Sequence, residues 1–399
     1  LWQTNVLLKM EDLPPAIGLG VQSTLWSDPS VFAAHSEAGG NALMFSMTDF
    51  ALGLLGSEQG NDPADLFDIL FEKTLEYGKK ITNNPNLRPT FALNALVPVD
   101  NALWIVNSHR QGTPGLDALL PPESKSVFSH RHSKLAAAHL ITKNTTSDEI
   151  EESVRSGIFV FKVKVGNDEG TDAAGMLARD KDFLKKVHSI LAPHETPYTE
   201  NGKLAYYIDA NGKYRSPDQL ESLLDFADLI GALDQVIIFE EPFPEEKDYD
   251  VSSFPMPFAA DESVHTVEDV RRRLDAGFWI FALKPSAKTL SLTAKVAATA
   301  HAAGAGLFCA DLTLSPILLE WHKNIAARVP SLPGLTTGLL ESNGPQNYSN
   351  WEKLMQRHPY PNAEWASPKG GYFCLDQNFF DCDGGIFAPL PAMEALHLR

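Results

Sequence analysis

From about Lys134 onward the chain settles into one repeating grammar, which limits the fold more than any other feature of its 399 residues. Short apolar runs (KLAAAHLIT, IFVFKVKVG, LAYYIDANG, QVIIFEEP, PMPFAADES, WIFALKPS, AGLFCADL and GLTTGLLES) are separated mostly by helix-patterned segments such as AAGMLARDKDFLKKVHSIL. Strands alternating with amphipathic helices predict parallel pairing. A doubly wound sheet would also alternate, but eight units in about 210 residues favour closure into a barrel. The expected class is α/β, with a barrel over 131–350. Residues 1–130 mix short strand-like pieces with helices such as DPADLFDILFEKTLEYGKKI and read as an α+β unit. The tail, 351–399, leaves the rhythm for Gly-, Pro- and aromatic-rich turns and reads as a return to that first unit.

Charge narrows the partners. With 33 basic and 51 acidic side chains the formal charge is 33 − 51 = −18, a surface that repels nucleic acid and anionic membrane. The densest basic run, Arg271 to Arg273, lies among acids in VEDVRRRLDAG and reads as a solvated helix face. Three cysteines are too few for a disulfide framework, so a reducing, cytoplasmic setting is expected. No apolar run reaches the roughly 18 residues of a membrane span. The opening residues lack the order of a secretory signal, although the chain does not begin with Met and a removed leader stays open. Without such a signal, the sequons at Asn144 and Asn347 are read as chance.

In a βα barrel, chemistry sits at the carboxyl ends of the strands. Three successive runs close on acids, Asp209, Glu240 and Asp261, at spacings of 31 and 21 residues. Any one of them is an ordinary turn former or helix cap. Three in register would repel one another unless a cation neutralised them, and single hard oxygen ligands from rigid strands suit Mg²⁺. In FKVKVG, alternation sends Phe161, Val163 and Val165 toward the helices and Lys162 and Lys164 inward. The run WIFALKPS closes on Lys284. Lys164 and Lys284 are thus expected to approach a central ligand from opposite sides, with desolvation and the metal lowering their pKa values toward neutrality. Lys288 and Lys295 read as surface lysines.

These residues resemble the enolase superfamily, and within it the muconate lactonizing enzyme subgroup (the mandelate racemase/muconate lactonizing enzyme family). KVK matches that subgroup's KxK, DAN, EEP and DES match its metal-ligand motifs, and ALKP carries its sixth-strand lysine, in order over about 134–350. The resemblance implies a modified TIM barrel, (β/α)₇β, with an α+β capping domain completed by the tail. It also implies Mg²⁺, with Mn²⁺ as a substitute, and removal of the proton α to a substrate carboxylate to give a metal-stabilised enediolate. Carried over by position, Lys164 and Lys284 form the acid/base pair and Asp209, Glu240 and Asp261 the ligands. Lys162 tunes Lys164, Asn211 and Glu262 act as outer partners, and Glu241 has no catalytic role.

A racemase or epimerase acting on a small-molecule carboxylate is the leading expectation. Cycloisomerisation and syn β-elimination, as in acid-sugar dehydratases or succinylbenzoate synthase, are alternatives, and a non-enzymatic binding barrel is disfavoured. Relatives are commonly symmetric, so a homo-oligomer is expected. The chain departs from the pattern where Pro285 to Lys288 replace the glycines that often follow the sixth-strand lysine. Asp311 and Glu341 are candidates to face substrate, with capping or loop bonding as the alternative. Asp381 and Asp383 resemble the DxD of dipeptide epimerases but lie beyond the barrel. His130, His132, His139 and His301 read as structural. Specificity is expected from the segment Ile17 to Thr24, where GLG reads as a flexible turn.

Overall fold

The computed structural model describes residues 2–56, 62–112, 115–166, 170 and 172–396. Two strands, β1 (Trp2–Leu8) and β2 (Ala16–Gln22), form an antiparallel hairpin. Helices α1 (Pro29–Leu55), α2 (Pro63–Ile81) and α3 (Pro89–Gln111) follow. Each starts with proline, which has no N–H to leave unbonded in the first turn. Asp28 and Asp62 cap the first two, accepting from Ser30 N at 2.9 Å and Ala64 N at 2.8 Å.

The segment expected to be a flexible turn is strand β2, buried along its whole length. Its glycines serve close packing: a Cβ on Gly18 would lie 1.8 Å from the Pro98 carbonyl oxygen of α3. The free edge of β2 is satisfied by the same helix, as Asn94 and Asn101 each donate a side-chain N–H at 2.9 Å, to the carbonyls of Val21 and Leu19.

Eight parallel strands close the barrel: β3 (Lys134–Ile141), β4 (Val160–Lys164), β5 (Ala205–Asp209), β6 (Val236–Glu240), β7 (Phe258–Ala260), β8 (Ile280–Leu283), β9 (Gly306–Cys309) and β10 (Gly338–Glu341). Each pairs with the next, and β10 returns to β3. Helices α4 (Ser147–Arg155), α5 (Ala173–Leu191), α6 (Pro217–Leu229), α7 (Val267–Asp275), α8 (Leu290–Ala302) and α9 (Pro316–Ala326) cover it. Reciprocal capping boxes start α4 (Thr146 with Glu149) and α7 (Thr266 with Asp269). The crossover 241–257 carries no helix, a departure from the strict (β/α)₇β count.

The tail engages both units. Strand β11 (Tyr372–Cys374) pairs antiparallel with the start of β3. Asp383 binds Arg328 at 2.6 Å and accepts from Leu116 N at 2.7 Å, far from the strand ends that carry chemistry. Asp381 accepts from Gln377. Neither Asp381 nor Asp383 lines the cavity at the strand ends. The cap is tied to the barrel mouth by Asp100 of α3, which accepts from Leu290 N at 2.8 Å at the start of α8. A second tie is the two-pronged bond from Arg88 to Glu245 at 2.9 and 2.7 Å.

Candidate active site

The end of β4 delivers two lysines to the barrel mouth, as the period-2 alternation requires. Phe161 and Val163 are fully buried toward the helices, while Lys162 and Lys164 line a cavity of about 200 Å³. Asp209, Asn211, Glu240, Asp261, Glu262, Lys284, Asp311 and Glu341 line it too, so the strand-end acids and lysines singled out from the sequence meet in one place. Strands β4 and β8 are the second and sixth of eight, which sets Lys164 and Lys284 on opposite walls.

Lys162 is the electrostatic centre. Its Nζ lies 2.9 Å from Asp209 Oδ2, 3.2 Å from Glu240 Oε2 and 2.9 Å from Glu341 Oε2, and donates to the Tyr207 hydroxyl at 2.8 Å. Burial alone would lower its pKa, but the three acids outweigh it and hold it well above the ordinary lysine value. Lys164 pairs with Asp209 and donates to Asn211 Oδ1 at 2.7 Å, and Asn211 in turn donates to Glu262 at 3.0 Å. Lys284 lies 2.5 Å from Asp261 Oδ2, an ion pair without hydrogen-bond geometry, and 4.8 Å from the centre of the Trp26 ring. Its pKa is raised as well: burial opposes the charge, and Asp261, Glu262 and Glu240 prevail. For Lys284 the expectation of a lowered pKa is thus reversed in the polypeptide alone, because acids surround its ammonium group.

The acids divide by partner. Burial pushes Glu240 up to about 8 and Asp311 up to about 7. Asp209 is also fully buried, yet Lys162 and Lys164 draw it down to about 2. Glu240 Oε1, both Asp261 carboxylate oxygens and Glu262 Oε2 are buried without a hydrogen-bond partner. One oxygen each from Glu240, Asp261 and Glu262 lie within 4.8 Å of one another. Orphaned hard oxygens at that spacing suit Mg²⁺. The sequence reading placed Asp209 with Glu240 and Asp261 in this set and Glu262 beside it; Asp209 lines the same cavity, paired with Lys162 and Lys164 as Asp261 is with Lys284.

Several contributors escaped the sequence. Lys288, read as a surface lysine, is buried and donates to the carbonyls of Asp261 at 2.5 Å and Val264 at 2.9 Å, fastening the β8 end to the β7 end. Lys295 is partly exposed and bridges to Asp68 of α2. Tyr207 stands two residues before Asp209, so alternation alone would have marked it. Glu241 holds the Asp261–Ser263 turn, accepting from Asp261 N at 2.8 Å and Ser263 Oγ at 3.0 Å. His322 accepts from Ser286 N at 3.0 Å behind Lys284. His132 binds the Val329 carbonyl and His139 contacts Ser153 and Gln346, away from any metal-like cluster among the described residues.

Residues 145–359, more than half of the chain, match the family model described as enolase C-terminal domain-like. The chain belongs to the enolase superfamily, in its mandelate racemase/muconate lactonizing enzyme group. Membership identifies it as an enzyme of that superfamily. Solved structures agree on the fold. A muconate lactonizing enzyme from Klebsiella pneumoniae has TM-score 0.60 and 19% identity over 94% of this chain and 89% of that one. A mandelate racemase/muconate lactonizing protein from Herpetosiphon aurantiacus has TM-score 0.60 and 17% identity over 94% and 88%. A dipeptide epimerase from Enterococcus faecalis V583, complexed with Mg and a dipeptide, has TM-score 0.56 and 15% identity over 86% and 82%. No curated protein matches the sequence. No helix among the described residues is long and apolar enough to cross a membrane.

Proposed function

We propose that this superfamily member removes the proton α to a substrate carboxylate and returns it on the opposite face, as a racemase or epimerase. The observation that carries this reading is the placement of Lys164 and Lys284 on opposing walls of a cavity rimmed by buried carboxylates, of which Glu240 Oε1 and Glu262 Oε2 have no partner. Glu240, Asp261 and Glu262 would hold Mg²⁺, or Mn²⁺ in its place, with Asp209 at the same rim. When bound, the cation supplies positive charge against a substrate carboxylate and offsets the acid excess. One lysine, deprotonated, takes the α proton into its amine lone pair. The other, as ammonium, donates to the opposite face, and the two then exchange protonation states through solvent. Lys162 stays charged beside Asp209 and Glu341 and keeps the acids in place. The same proposal places the enzyme in the cytoplasm, in keeping with its three free cysteines, and as a homo-oligomer.

The test is α-proton exchange. With Mg²⁺ in D₂O, at least one member of a broad carboxylic acid library is expected to lose its α-¹H signal. If none does, the reading fails. Product analysis separates it from elimination, which alone yields a 2-keto acid.

Metal uptake has a predictable pH dependence. Glu240, held at about 8 in the polypeptide alone, must lose its proton to bind a cation. Mg²⁺ affinity is therefore expected to rise with pH and level off above about 8, with proton release below it. Calorimetry in buffers of different ionisation enthalpy measures this. A flat affinity with no released proton would mean that Glu240 is already ionised before the cation binds.

A further inference from the structure

We propose that the substrate is a compact monocarboxylate whose far end is uncharged and hydrogen-bonding, and that dicarboxylates are poor ligands. This rests on the function proposed above, which assigns the reacting end to the acid cluster and the two lysines. The rest of the wall is neutral: Ser23 and Trp26 from the cap, and Leu312, Thr313 and Asn343 from the loops after β9 and β10.

Of the two acids at those strand ends, Asp311 is occupied on both oxygens and Glu341 on Oε2. Asp311 Oδ1 accepts from Leu312 N at 2.7 Å and Leu314 N at 3.2 Å, and its Oδ2 accepts from Asn343 N at 2.6 Å. Glu341 accepts from Lys162 Nζ at 2.9 Å and Asp311 N at 3.0 Å. The nearby cations are equally engaged: Lys288 holds two backbone carbonyls, and Arg88 holds Glu245. A second negative charge on the ligand would lose its hydration and meet no available cation outside the reacting end among the described residues.

What remains is polar but neutral. Trp26 Nε1 and Asn343 Oδ1 are buried with no hydrogen-bond partner. One is a donor and the other an acceptor, and a hydroxyl group can serve both. The cavity, about 200 Å³, falls below the roughly 300–1,000 Å³ of drug-sized ligand sites, which favours a short acid.

Calorimetry on the full chain with Mg²⁺ tests this with two sets matched in length: hydroxylated monocarboxylates and dicarboxylates. The first set is expected to bind at least about tenfold more tightly. Equal or tighter binding by the dicarboxylates, or no binding by any hydroxy acid, overturns the inference. Trp26→Phe keeps the ring and removes the N–H, so it should weaken a hydroxy acid by about tenfold and leave its deoxy analogue unchanged. Equal loss for both also overturns it. Proton NMR on the same samples separates the two readings: a hydroxy acid that binds without α-proton exchange defeats the proposed reaction and leaves the substrate class standing.

Discussion

Lys164→Ala and Lys284→Ala are each expected to abolish interconversion of the two substrate enantiomers, by about a thousandfold or more, because each removes one of two positioned proton carriers. Exchange with solvent should divide between them. In either variant the surviving lysine still faces one side of the α carbon. The enantiomer presenting its proton to that side keeps exchanging deuterium with its configuration retained. The opposite enantiomer becomes inert. The two variants should show mirror-image preferences, read by proton NMR in D₂O from each pure enantiomer. Two variants that spare the same enantiomer would contradict opposed walls, and full interconversion in either would strip that lysine of its role. A one-base reaction, as in syn elimination, would instead leave one variant nearly as active as the parent in proton removal.

The parts of this molecule that its sequence made legible share one physical signature. A lysine or acid on the inward phase of an apolar strand stands out because period-2 alternation leaves it nowhere to go but the barrel interior, as at Lys162, Lys164 and Asp209. Where the environment depends on contacts between distant elements, that signature fails. Gly18 and Gly20 looked like a turn because a glycine needed for close helix approach is written identically to one needed for a positive φ. Lys288 looked exposed because its burial depends on Trp26, from the far end of the chain, and on the β7 end. Asp311 sits at a strand end like the other acids, yet its oxygens fold the next loop onto themselves. The raised pKa values of Lys162 and Lys284 were also out of reach, since they depend on how many carboxylates converge rather than on burial of any one lysine.

That convergence gives Lys162 a measurable weight. Lys162→Met is expected to destabilise the protein without divalent cation by about 3–5 kcal/mol, the usual cost of removing one member of a buried ionic cluster. Against a total of about 5–15 kcal/mol this is a large fraction. The variant leaves Asp209, Glu240 and Glu341 facing one another with no ammonium between them. Such acids take up protons in the folded state with raised pKa values, so the deficit should be largest above those values and shrink as pH falls through them, where the carboxyls become neutral. Saturating Mg²⁺ should recover part of the loss by supplying positive charge to the same oxygens. Adding Glu341→Gln should recover part of it too, because it removes one of the stranded charges. Urea denaturation with and without Mg²⁺ at several pH values measures all three effects. An unchanged midpoint in EDTA would mean that the cluster is already balanced without Lys162, and with that the electrostatic account of the site would fall.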